Sequence, residues 1–151
     1  MAALVATMLR TLGIRDICEA VNVTRAMTAL KGRAFDVLVI DDGFRGQSVE
    51  FVQKLRAKQD CRNRHIPIIM MSSLPDAAAI ARARDGGVNE FLRKPFSVKH
   101  IEARLKTIFN VPRDFIAVES YNGPDRRRRI AGFDGEDRRR SQHAASLDPA
   151  D

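Results

Sequence analysis

FDVLVIDD, residues 35–42, is the stretch on which the reading of this chain turns. Its centre, Val37–Ile40, is an unbroken apolar run bounded by acids. It is too short for a buried helix and lacks the alternation of a half-exposed strand. Such a run fits a strand covered on both faces, as in a parallel sheet flanked by helices. It ends in Asp41, with Asp42 behind it. Two later runs have the same form. IIMM (68–71), introduced by His65-Ile66-Pro67, ends in Ser72, and VNEFLR (88–93) runs into Lys94-Pro95. As parallel neighbours, the three strands bring a carboxylate, a hydroxyl and an ammonium to one carboxyl edge. That edge is where open α/β sheets bind ligands.

Helical patterns separate the strands. Leu4, Val5, Met8, Leu9 and Leu12 recur at helical spacing over residues 2–12, and Gly13 stops them. IRDICEAV (14–21) suits a strand. Asn22 and Thr24 open a second helix, with Ala26, Met27 and Leu30 inward and Gly32 at its end. Residues 48–58 read as an amphipathic helix, with Val49, Val52 and Leu55 inward and Lys54, Arg56 and Lys58 outward. Pro75 opens a helix that Gly86-Gly87 ends. Ser97 caps the last helix, along which Val98, Ile101, Leu105 and Ile108 recur. Strands alternating with helices predict an α/β fold with a doubly wound parallel sheet.

The pattern stops after Asn110. DFIAVES (114–120) reads as a short strand or as an extended strip packed on the domain. NGPDRRRR (122–129) and GEDRRR (135–140) are related pieces, each with a glycine, an acid and an arginine block. SQHAASLDPAD reads as disordered. The expected division is therefore a domain over residues 1–110 and an extended or disordered, Arg-rich tail over 111–151.

Composition bounds the rest. A chain of 151 residues can close one full core, and 44% apolar with 30% charged residues is the profile of a soluble globular protein. No apolar run approaches the roughly 20 residues that span a bilayer. The first residues lack the basic start and cleavage site of a secretory signal, so the cytoplasm is the expected location. Cys18 and Cys61 are read as two reduced thiols. The net charge of +7 comes from residues 1–110, since 111–151 hold eight arginines and eight acids. Spread over helix faces, this charge describes a solvated surface, and nucleic acid is not an expected partner. Arg126–Arg129 and Arg138–Arg140 suit an acidic partner. His65, His100 and His143 lack metal-ligand spacing.

FDVLVIDDGF, IPIIMMSS and GGVNEFLRKPFS, in this order and at these intervals, resemble the third, fourth and fifth strands of a response-regulator receiver domain, the CheY/flavodoxin-like fold. The resemblance covers residue 1 to about 110. It implies a phosphoryl acceptor in a two-component phosphorelay and not an enzyme, with a histidine kinase or phosphotransfer protein as partner. It implies Asp41 as phosphoacceptor, Ser72 and Lys94 as ligands of the phosphoryl oxygens, and Ser72 with Phe91 as the switch. The residue types agree with that chemistry. A carboxylate can form an aspartyl phosphate, and phosphoryl transfer needs positioning and neutralisation of oxygen charge.

One departure is large. The family begins with an apolar strand ending in two magnesium-binding acids, and no acid here precedes Asp16. The expectation is a sheet lacking that first strand, either because the chain start is internal or because the receiver is degenerate. Magnesium would then rest on Asp41 and the Gly43 carbonyl, and would bind weakly or not at all. The loop DGFRGQS is a smaller departure, having no proline. The expected function is a single-domain, phospho-accepting response regulator that signals by protein contact. The alternative is a non-phosphorylated, receiver-like adaptor with an Arg-rich contact tail.

Overall fold

A computed structural model describes residues 1–43, 47–73, 76–118 and 121–126. In chain order the elements are α1 (Ala2–Thr11), α2 (Val23–Gly32), β1 (Leu38–Asp41), α3 (Ser48–Ala57), β2 (Ile68–Ser72), α4 (Ala77–Asp85), β3 (Glu90–Arg93), α5 (Val98–Asn110), β4 (Phe115–Val118) and β5 (Tyr121–Pro124). The first three strands form a parallel sheet in the order β1-β2-β3. Its register pairs Asp41 with Met71 and Ser72 with Arg93, so the three carboxyl ends lie level.

The apolar run of β2 explains the two layers. All five of its residues are buried. Ile68 and Met70 face one side, against Leu30 of α2, Phe51, Val52 and Leu55 of α3, and Ala83 of α4. Ile69 and Met71 face the other, against Val5 and Leu9 of α1 and Ile101, Leu105 and Ile108 of α5. A period of two thus feeds two cores from one strand. Helices on both faces of a parallel sheet make the α/β doubly wound arrangement.

Helix ends follow local chemistry. Asn22 caps α2, its side chain accepting from Arg25 N at 2.8 Å, and Asp76 caps α4 by accepting from Ala79 N. Asn22→Ala is expected to cost about 1 kcal/mol, read as a lower midpoint in urea unfolding. An unchanged midpoint would mean that this end frays in the native state.

Two expectations are corrected. Residues 14–21 do not form a strand. Ile14 and Ile17 pack against the α1–α5 side, but a strand needs a ladder partner, and none is present for this segment among the described residues. Arg56 is not outward but 1% exposed. Cys61 is buried and Cys18 exposed, both as free thiols.

Within the strip expected at 114–120, Phe115–Val118 form strand β4, paired antiparallel with β5. Asn122–Pro124, placed by sequence in the tail, lie in β5, where Gly123 and Pro124 are buried. The hairpin is tied to the domain at several points. Asn122 Nδ2 donates to Arg56 O at 2.9 Å, and the Phe115 ring lies 3.8 Å from that of His65. Arg113, just before β4, pairs at 2.9 Å with Glu90, a buried acid of β3 that also meets Arg104 of α5 at 3.4 Å. Pro75 and the tail beyond Arg126, including the second arginine block and the end expected to be disordered, lie outside the described residues.

Candidate functional site

The level carboxyl ends of β1, β2 and β3 set the site. Asp41 is the last residue of β1, Ser72 the last of β2, and Lys94 follows β3 directly. Lys94 N donates to Ser72 O at 2.8 Å, which extends the ladder and fixes where the lysine leaves the sheet. Its ammonium then donates to both Asp41 oxygens, at 2.6 and 2.7 Å. The pair is partly sheltered, with side-chain exposures of 13% for Lys94 and 28% for Asp41. Gly43 N donates to Asp41 Oδ1 at 2.9 Å, and a Cβ at Gly43 would lie 3.2 Å from that oxygen. The turn therefore brings its backbone close to the carboxylate.

Burial disfavours the Asp41 charge, but the Lys94 ammonium and the Gly43 N–H together outweigh it and hold the carboxyl below its ordinary value. Asp41 is thus an ionised, oriented carboxylate at neutral pH. A cavity of about 330 Å³, lined by Met1, Leu4, Ser73, Lys94, Pro95 and Phe96, opens beside the lysine.

Ser72 is buried on the neighbouring strand. Phe91, in register with Met70, is half-buried against the α2–α4 side. Asp42 N donates to Met71 O at 2.7 Å. Ser48 was not picked out from sequence. Its buried hydroxyl donates to Asp41 O at 2.8 Å and fixes the backbone that carries the carboxylate. The available signal was a hydroxyl at the start of a helix, directly after the loop that follows Asp41.

Magnesium is usually held by one or two carboxylates together with several waters. Lys94 takes both Asp41 oxygens, and Asp42 is the one acid adjoining it in sequence. No group of three His, Cys, Asp or Glu converges anywhere among the described residues. Magnesium coordination is octahedral, and in this structure Lys94 engages both Asp41 oxygens.

A three-stranded parallel sheet with an acid, a buried hydroxyl and a lysine level on its carboxyl edge defines a receiver-type α/β domain. Comparison with known proteins agrees. The response regulator receiver domain family matches residues 1–106. The chemotaxis protein CheY of Pseudomonas aeruginosa is 30% identical over 110 residues, spanning 72% of this chain and 87% of that protein. CheY-3 of Vibrio cholerae is also 30% identical, over 72% of this chain and 83% of its own. A putative response regulator from Chloroflexus aurantiacus superposes with a TM-score of 0.64 at 23% identity, over 72% of this chain and 88% of that one. The receiver domain of the sensor histidine kinase PA1611 from Pseudomonas aeruginosa gives 0.60 at 21% identity, over 69% of this chain and 84% of its own. That structure has a magnesium ion coordinated in its active site cleft.

The chain belongs to the response regulator receiver domain family, the phosphoacceptor module of two-component signalling. No helix among the described residues is long and apolar enough to cross a membrane.

Proposed function

We propose that Asp41 is the phosphoacceptor and that a histidine kinase or a phosphotransfer protein is the donor. The observation that carries this reading is the Lys94 ammonium, within 2.7 Å of both Asp41 oxygens at the carboxyl edge of the sheet. In the proposed step one Asp41 oxygen attacks the phosphorus of a phosphohistidine. The P–N bond breaks, the O–P bond forms, and the imidazole leaves with its electron pair and takes a proton. Lys94 then moves from the carboxylate to the transferred oxygens, whose charge it balances. Ser72 offers its hydroxyl to a second phosphoryl oxygen, and this new bond, with repacking of Phe91, is the proposed switch. Gly43 keeps its N–H on the carboxylate. Magnesium, where bound, would be held by Asp41 and the Gly43 carbonyl and would neutralise further charge on the phosphoryl oxygens. The output is protein contact, and an acidic partner for the arginine blocks rests on sequence alone.

The test is direct labelling. The chain is incubated with acetyl phosphate, with and without magnesium, and the adduct is mapped by its acid lability and hydroxylamine sensitivity. Asp41→Asn should abolish the adduct. Labelling that persists in that variant would move the acceptor elsewhere, while an unlabelled native chain would favour the receiver-like adaptor reading.

A further inference from the structure

Two pieces of the carboxyl-terminal sequence align over eight positions. Tyr121–Arg128 reads YNGPDRRR, and Phe133–Arg140, twelve residues on, reads FDGEDRRR. The aromatic ring, the Asx residue, the glycine, the aspartate and the arginines fall in the same places.

The structure shows what the first piece is read by. It lies at the amino-terminal edge of the sheet, opposite Asp41, on a groove made by the end of α3 and the turn between α4 and β3. Asn122 Nδ2 donates to Arg56 O at 2.9 Å. Gly123 approaches the backbone of Gly87 so closely that a Cβ would lie 2.8 Å from Gly87 Cα. Gly87 has φ +100°, so the turn that receives it also favours glycine. The Arg126 guanidinium sits 4.0 Å from the centre of the Tyr121 ring and pairs with Asp85 at 3.3 Å. Recognition thus rests on a ring, a glycine two residues later and an arginine three residues after that.

We propose that Phe133–Arg138 is a second occupant of this groove in the same chain, exchanging with Tyr121–Arg126. Phe133, Gly135 and Arg138 supply the same ring, glycine and guanidinium at the same offsets. An arginine stacks on phenylalanine as on tyrosine, and Gly135 alone meets the steric demand of Gly87. Three positions weaken the second piece. Phe133 lacks the hydroxyl that Tyr121 donates to Pro124 O at 2.6 Å, Asp134 lacks the N–H that Asn122 gives to Arg56 O, and Glu136 replaces the buried Pro124. The first piece is therefore the major occupant.

Exchange lengthens the link from β4 from residues 119–120 to residues 119–132. Closure cost grows only with the logarithm of loop length, and a tethered peptide outcompetes a free one through its effective concentration. Exchange within the chain is therefore favoured over exchange between copies. Its consequence is that one arginine at a time, Arg126 or Arg138, is held at Asp85 while the other piece is offered to a partner.

The experiment uses the full chain with Cys18→Ser, Asp85→Cys and Arg138→Cys, oxidised and mapped by mass spectrometry. An intramolecular disulfide between positions 85 and 138 is expected. Its yield should rise when Gly123→Val expels the first piece and fall when Gly135→Val is added. Tyr121→Ala serves in place of Gly123→Val should that variant not fold, since it leaves the backbone approach intact. In thermal unfolding, Gly135→Val should leave the midpoint unchanged alone and lower it in the Gly123→Val or Tyr121→Ala background. A yield no higher than in the Gly135→Val control overturns the proposal. So does a disulfide found only between two chains, which would place the second piece on another copy.

Discussion

Arg56→Met is expected to be the most destabilising single substitution in the described core. The Arg56 guanidinium donates through Nε and Nη2 to Gly87 O at 3.2 and 2.9 Å, through Nη1 to Arg64 O at 2.6 Å, and through Nη2 to Asn89 Oδ1 at 3.2 Å. Asn89 in turn accepts from Ile68 N at 2.9 Å, at the start of the central strand. One side chain thus joins α3, the segment before β2 and the turn before β3. Methionine fills much of the volume but leaves the acceptors without these donors, and each buried unsatisfied group costs about 1–3 kcal/mol. Against this stands the cost of burying the charge, which lowers the guanidinium pKa to about 10. Arg56 is still protonated at neutral pH, and its acceptors are uncharged, so the hydrogen bonds must offset that desolvation themselves.

The expected net loss is about 3 kcal/mol, or a fall in thermal midpoint of about 10 °C for a chain of this size. Arg56→Lys should fall nearly as far, because an ammonium cannot span acceptors on both the segment before β2 and the turn before β3. A methionine variant as stable as the native chain would show that desolvation relief outweighs the lost bonds.

The same residue shows where sequence reading stops. Val49, Val52 and Arg56 stand at i, i+3 and i+7, so helical spacing alone puts Arg56 on the inward face. Its charge argues the other way and points it outward. What reverses the charge argument is a set of acceptors, the Arg64 and Gly87 carbonyls and the Asn89 side-chain oxygen, supplied by segments up to 33 residues away, which no local window contains. The strand expected at 14–21 failed for a related reason. Its residue types suit a strand, but pairing is a property of two segments.

By contrast, Val37–Ile40 and Ile68–Met71 were legible because packing on both faces, complete in β2 and partial in β1, leaves a signature in the residues themselves. The Asp41–Lys94 contact followed from strand ends and parallel topology, although 53 residues separate the two. Ser48 escaped because its work is done through the Asp41 backbone carbonyl. The repeat of a glycine, an acid and an arginine block was visible from the start. What it binds was not, since Asp85 and the glycine turn at Gly87 carry no mark of a docking groove until the hairpin is seen against them.

Lys94→Met is expected to separate the two jobs assigned to the lysine. In the native chain Asp41 titrates below its ordinary value, although burial acts against ionisation, because the ammonium and the Gly43 N–H outweigh it. A carboxyl with a depressed folded pKa contributes stability that is present above the unfolded pKa and lost as pH falls through the folded value. Without the ammonium, burial dominates and the Asp41 pKa should move up past its unfolded value. That contribution then changes sign, and the variant should lose less stability on acidification than the native chain. Carbon-detected NMR of the Asp41 carboxyl reads the pKa, and urea unfolding at pH 7 and below the native titration reads the linkage.

On the proposed role of Asp41, the same substitution removes the positive charge awaiting the phosphoryl oxygens. Deleting one preorganised donor at a developing charge costs roughly a hundredfold or more in rate. Labelling by acetyl phosphate should slow by about that factor while the fold persists, since the lysine stands at the rim of the sheet and not in either core cluster. Lys94→Arg is not an equivalent rescue, because a guanidinium that forks onto both carboxylate oxygens is longer and planar and cannot swing onto the transferred oxygens as a compact ammonium does. A labelling rate in Lys94→Met equal to the native rate, with the carboxyl pKa shifted as described, would show that Lys94 tunes the resting carboxylate and takes no part in the transfer.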